Sequence, residues 1–342
     1  MPGIARNFLY FASFAILAAV LAKFLFNLDF NKRTYNQVPG ECGIIPDMPG
    51  IIGLATSNGG RLYFTVPSVD GIMDKTHLFT FYSDNRTARD IEIRGGPKKF
   101  LPKAGQLTLT NGRRNPKAFV HRINSSSVDI FETDEQSDAW KYLGALSHDT
   151  YEGLASLSAS GPNSFYFVKT SILGSASNFL ERVFAIPTGQ LYFANGDQVH
   201  PVMRMSSPTA VYFDDLRKTL FVTSFARNSI SRIKTTDGYK VSTIKEYDLG
   251  CSPTSIWKDF DGTFLITCHP IKFRYLLNAM QMTSSTPSMV LHVSIPVDEN
   301  KPLSIKQLYS NDGATISGLT TAVRAGGNLL FSNGEEILNC EY

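Results

Sequence analysis

The chain opens on an uncharged, mostly apolar run from Phe8 to Ala22, interrupted by Lys23 and resumed at Phe24, Leu25 and Phe26. That pattern predicts one helix of about 20 residues, long enough to cross a bilayer. Lys23 would sit near its end and reach the interface. The rival reading is a cleaved signal peptide, with Arg6 before the apolar run and Val20-Leu21-Ala22 as the cleavage site. The run exceeds an ordinary signal core of about 7–15 residues, which favours the uncleaved anchor.

Beyond residue 40 the pattern changes. Six segments share one form: turn residues, a short apolar and aromatic run, then a polar residue. They centre on Leu62, Leu107, Phe165, Leu220, Phe264 and Leu329, at spacings of 44 to 65 residues. Each is too short for a helix and suits a buried strand. A repeat near 40–50 residues with several strands per unit marks a propeller blade. The predicted fold is all-β: a six-bladed β-propeller behind an N-terminal transmembrane helix. The expected organisation is a cytosolic tail at 1–6, a signal anchor at 7–28, a linker at 29–41 and the propeller at 42–342. Two stretches, Ser171–Pro187 and Phe273–Met282, place apolar residues at helical spacing instead. They read as blade-to-blade connections packed on a face of the propeller. The sharper alternative is a lid, or an element facing a partner or a membrane.

Composition adds a few exclusions. Lys and Arg number 33 against 30 Asp and Glu, a net charge of +3. That balance gives no concentrated basic face, and nucleic acid is not an expected partner. Four cysteines are too few for a disulfide scaffold, and no CxxC pair exists for zinc. Cys42 precedes the first blade and Cys340 lies two residues from the end. A propeller ring closes by pairing its two chain ends, so a Cys42–Cys340 disulfide would lock it. Cys251 and Cys268 could form a second bridge or stay as buried thiols, and the thiol reading is preferred. Asn85 and Asn124 lie in glycosylation sequons. With the apolar leader, they favour a lumenal or extracellular domain on a single-pass type II membrane protein.

The six histidines are scattered without metal-ligand spacing, and no nucleophile elbow, phosphate loop or HExxH occurs. Asp214-Asp215 and Asp259-Phe260-Asp261-Gly262 sit in turns, where Asp normally caps its own backbone.

The sequence resembles the paraoxonase family of calcium-dependent lactonases and arylesterases. The likeness rests on Leu308–Val323, on Gly327–Tyr342, on the Cys268-His269-Pro270 triplet, on Cys42 and on Phe100-Leu101-Pro102. The resemblance implies a calcium in the central tunnel, but the ligand types are missing. The family's Glu-Asp pair falls on Ile52 and Gly53, its fourth-blade Asn near Pro208, and its Asp-Asn pair on Pro253 and Thr254. Its central Asn-Asp pair falls near Glu152-Gly153 or Ala155-Ser156. Calcium needs about 6–8 oxygen ligands, several of them carboxylate. The general-base histidines are replaced as well, by Lys103 in Phe100–Ala104 and by Asn111-Gly112-Arg113. His269 matches a family position, and a lone histidine is more often structural. The resemblance is greatest to the nematode branch of paraoxonase-like membrane proteins that assist degenerin-type sodium channels. It implies no catalytic residue, no metal and no cofactor. It implies an accessory or chaperone role toward membrane-protein clients such as degenerin-type channel subunits, in the endoplasmic reticulum or plasma membrane. The alternative is an active calcium-dependent arylesterase or lactonase with altered ligands.

Overall fold

The structure is a computed structural model. It describes residues 2–342 except 47, 49, 58–59, 67–77, 83–86, 97–105, 111–115, 123–124, 135–136, 174–177 and 299, with backbone alone for 2–9 and 178. The sequon residues Asn85 and Asn124 lie outside the described residues, as do 100–104 and 111–113.

Six antiparallel sheets form the blades. Their inner strands are Gly53–Thr56, Leu107–Leu109, Ser156–Gly161, Pro208–Asp214, Ser252–Lys258 and Thr321–Ala325. Each blade's second strand lies between neighbouring blades and is apolar on both faces. Leu62–Thr65, Thr219–Ser224 and Phe264–His269 are buried at every position. Burial on two sides explains why these runs dominate the sequence pattern. Five of the six predicted segments are second strands. The sixth is out of phase: Leu107–Leu109 is the inner strand of blade 2, and the matching second strand is Lys117–His121. That offset accounts for part of the uneven spacing. Blade 2 also carries a fifth strand, Glu92–Arg94, parallel to Ala139–Ser147.

The ring closes as expected. Cys42–Ile44 adds to Ile337–Glu341 as the outermost strand of blade 6, with Cys42 opposite Cys340. The two cysteines are bonded, at a Cα–Cα distance of 4.1 Å. The stretch before them is pinned along blade 5. Lys32 Nζ donates to Gly250 O at 2.8 Å, Gln37 forms a β-bridge with Ser310, and Asp312 N donates to Asn36 Oδ1 at 2.9 Å.

Helix α1 (Pro2–Asn27) contains the apolar stretch Tyr10–Asn27, long and apolar enough to cross a membrane. It ends where Asp29 turns left-handed at φ 57° and Phe30 N bonds back to Leu25 O. Helices α2 (Asn178–Phe184) and α3 (Lys272–Ala279) form in the two stretches of helical spacing. They do not connect blades, however. Each lies inside one blade, between its second and third strands, because the sheet order puts them within blades 3 and 5. Their apolar sides and the end of α1 bury Leu28, Val183, Phe225 and Leu276 together. Phe24 meets Phe184 at 6.0 Å, Phe30 meets Phe273 at 5.3 Å, and Phe273 N donates to Leu28 O at 3.0 Å.

Candidate functional site

The inner strands surround a central tunnel of about 480 Å³. Hydroxyls on one strand bind the next. Val211 N donates to Ser156 Oγ at 3.2 Å, and Phe213 N donates to Ser158 Oγ at 2.9 Å. The matching order of these contacts shows that the strands run parallel. One mouth therefore gathers the strand starts and the other gathers the strand ends.

At the strand-start mouth lie Ile52, Gly53, Pro208, Pro253 and Thr254. Its polar atoms are already committed. Gly53 N donates to Thr65 Oγ1 at 2.9 Å. Thr170 Oγ1 donates to Pro208 O at 3.0 Å, and Thr209 Oγ1 donates to Pro253 O at 2.9 Å. Thr254 Oγ1 donates to Thr267 O at 3.2 Å. Tyr275 of α3 also lines the tunnel, and His269 stacks on that ring at 4.2 Å.

The basic groups here are buried. His269 is 0% exposed. Its Nδ1 contacts Pro287 O at 3.1 Å, and its Nε2 has no partner. Burial pushes its pKa down to about 4, so the ring is neutral at pH 7. Lys272 is buried and donates to Ala226 O at 3.0 Å. Burial lowers its pKa to about 8, against an opposing pull from Asp29. Arg182 lies over the rings of Phe225, at 5.1 Å, and Tyr275, at 5.7 Å. Next to His269, Cys268 is bonded to Cys251. This corrects the preference for two buried thiols. Pairing of Ser252 with His269 and of Pro253 with Cys268 lays the two strands side by side, and the cysteine Cα atoms come within 5.8 Å.

The strand-end mouth is built from ion pairs. Arg324 Nη1 bonds Asp259 at 3.2 Å, and Lys258 Nζ lies 3.6 Å from Asp214. Asp259, Asp261 and His292 bring ligand-type atoms within 4.8 Å of one another. Their bonds are used locally, as the turn reading predicted. Phe260 N donates to Asp259 Oδ1 at 2.7 Å, and Thr263 N donates to Asp261 Oδ1 at 2.9 Å. Thr263 Oγ1 also bonds both Asp261 and His292.

A model of the arylesterase family matches residues 13–342. The chain belongs to that family. Among its relatives, the mechanosensory abnormality protein 6 of Caenorhabditis elegans is 25% identical over 364 residues, covering 98% of this chain and 95% of that one. The human serum paraoxonase/lactonase 3 is 23% identical over 303 residues, covering 84% and 83%. Among solved structures, a luciferin-regenerating enzyme superposes with a TM-score of 0.53 at 10% identity, covering 89% of this chain and 95% of that one. That likeness concerns the fold alone.

The arylesterase family binds calcium, and the strand-start mouth can be tested as a home for it. Ile52, Gly53, Pro208 and Pro253 carry no side-chain oxygen, and the hydroxyl of Thr254 is spent on the backbone. Ser156 Oγ accepts from Val211 N, and Glu152 is exposed away from the tunnel lining. Among the described residues lining the tunnel, Asp259 is the one carboxylate, and it pairs with Arg324 at the far mouth. This donor set does not fit calcium. Sequence reasoning missed Arg182, Lys272 and Tyr275 as neighbours of the tunnel. The only local signal was charge inside two apolar helical stretches.

Proposed function

We propose that this arylesterase-family chain is a membrane-anchored propeller without hydrolase activity. It acts as an accessory or chaperone for membrane proteins, degenerin-type sodium channels among them. The observation that carries this reading is the strand-start mouth. The positions where the family resemblance calls for calcium ligands hold apolar side chains and hydroxyls already bonded to backbone. Likeness to the mechanosensory abnormality protein 6 supports this reading of partners, since that name describes a mechanosensory process.

The anchor, two disulfides and the two sequons support a single-pass type II protein with its propeller in the lumen or outside the cell. The endoplasmic reticulum and plasma membrane are its proposed locations. Exposed Leu173, Leu180, Phe184 and Ile186 lie on and beside α2, whose Phe184 meets Phe24 of α1 at 6.0 Å. That apolar surface supports a propeller whose strand-start face rests on the bilayer.

The test is calcium calorimetry on the metal-stripped full chain, with chelator-sensitive lactone hydrolysis measured alongside. Silence in both is expected. Stoichiometric calcium binding with turnover would establish the alternative, a calcium-dependent arylesterase or lactonase with altered ligands.

A further inference from the structure

Between its two mouths the tunnel is lined by hydroxyls whose protons have no acceptor. The inner strand of each blade turns an unpaired edge toward the axis, so its backbone N–H groups take partners from the neighbouring blade. Thr108 Oγ1 accepts from Ala159 N at 3.2 Å, which ties blade 2 to blade 3. Ser156 and Ser158 accept from Val211 N and Phe213 N of blade 4, and Thr56 Oγ1 accepts from Trp257 Nε1 at 2.8 Å. A hydroxyl has one proton besides its lone pairs. Among the described residues, none of these four protons meets an acceptor. Two more tunnel-lining groups have no bond among the described residues: the buried Ser255 Oγ and the side-chain amide of Gln106.

Unmet donors in a confined space cost free energy unless oxygens from outside the protein reach them. The charges nearby cancel, since Lys258 lies 3.6 Å from Asp214 and Arg324 bonds Asp259. The tunnel therefore selects an uncharged ligand. One carbonyl oxygen has two lone pairs and serves two donors. Ser156 and Ser158 alone stand about 7 Å apart along their strand. The set calls for several oxygens spaced around a compact frame. The opposite side differs. Blade 5, three places from blade 2 in a ring of six, presents Ile256 across the tunnel, and blade 1 presents Leu54. The volume of about 480 Å³ lies within the roughly 300–1,000 Å³ of small-molecule sites.

We propose that the tunnel binds a small, uncharged, polyhydroxylated molecule, a monosaccharide or a cyclitol. Its oxygens face Gln106, Thr108, Ser156 and Ser158, and its C–H face lies against Ile256 and Leu54. Such a site is independent of the accessory role and of the bilayer-facing reading. The full chain in phosphatidylcholine nanodiscs is titrated with D-glucose, D-mannose and myo-inositol, with sodium hexanoate and δ-valerolactone as controls. Saturation-transfer NMR reads binding. Tryptophan emission reports its place, because Trp257 lines the tunnel and Trp140 is buried in a separate core.

At least one polyol should bind with a Kd on the order of 1 mM, the range open to so small a neutral ligand. Ile256→Phe fills the tunnel without touching a hydroxyl and should abolish the transfer. Gln106→Leu removes an amide that bonds nothing else and should weaken binding about three- to tenfold. In the wild type, saturation should shift the emission of Trp257, a readout that needs no variant to fold. No transfer to any of the three polyols, transfer that survives Ile256→Phe, or binding without the emission shift would overturn the site. Tighter binding of hexanoate or of the lactone than of every polyol would overturn the ligand class.

Discussion

The two mouths of the tunnel are made from the same six strands and treat charge in opposite ways. At the strand ends, Asp214 and Asp259 have cationic neighbours, Asp261 lies 3.5 Å from His292, and bonds to the turn backbone fix the three carboxylates. At the strand starts, His269 and Lys272 are buried with backbone oxygens as their hydrogen-bond partners. Arg182 rests on aromatic faces. The first arrangement suits water. The second suits an apolar surrounding, where the neutral His269 ring costs less than an ion would. The difference follows chain topology, since the strand-start face receives α1, α2 and α3.

Each end also carries one disulfide, and removing them should produce the largest effects. Cys42–Cys340 lies level with the strand-end residue Arg324, through the pairs Arg324–Leu329 and Leu329–Cys340. It spans 298 residues, against 17 for Cys251–Cys268. On the chain-entropy argument, Cys42→Ser with Cys340→Ser should cost about 5–6 kcal/mol and Cys251→Ala with Cys268→Ala about 3. Non-reducing denaturant unfolding of the two double variants checks the order. Equal losses would mean that strain or local packing outweighs loop length.

A pH series sharpens the contrast further. His269 is held at about 4 in the fold, below its ordinary 6.5. The unfolded chain therefore takes up a proton first, and stability should fall as pH drops from 6.5 toward 4, by at most about 3 kcal/mol. Lys272 is also depressed, from 10.5 to about 8. The same sign applies, so stability should climb between pH 8 and 10.5. His269→Phe keeps a ring against Tyr275 and should flatten the acid limb. If the slope persists in that variant, another group causes it. The smallest effect belongs to the strand ends. Asp261→Asn removes an exposed partner of His292 and should change stability by less than about 1 kcal/mol. A larger loss would show that this mouth is more than a solvated rim.

The propeller was legible because second strands are buried on both sides, which leaves apolar runs such as Leu220–Thr223 that need no alternation to be seen. Blade 2 misled the phase because its inner strand, Leu107–Leu109, carries the same short apolar signature as a second strand. The ring-closing cysteines were legible from their places at the two chain ends. Cys251 and Cys268 were not, because strand register decides whether they meet, and register is not written in their spacing. The strand-start mouth was only half legible. The resemblance placed Ile52, Gly53, Pro208, Pro253 and Thr254, while Arg182, Tyr275 and Lys272 reach that mouth through packing of two short helices. No periodicity reports such a meeting.

The strand Cys42–Ile44 has its partner at the far end of the chain. During synthesis it emerges early and waits. At about 5–20 residues per second, the interval before Cys340 appears is roughly 15–60 s. Through that interval Cys42 lacks its partner, and Cys251 is made before Cys340 is. A chain truncated anywhere before residue 340 cannot form that bond. The final bond therefore closes the ring only after residue 340 has been made.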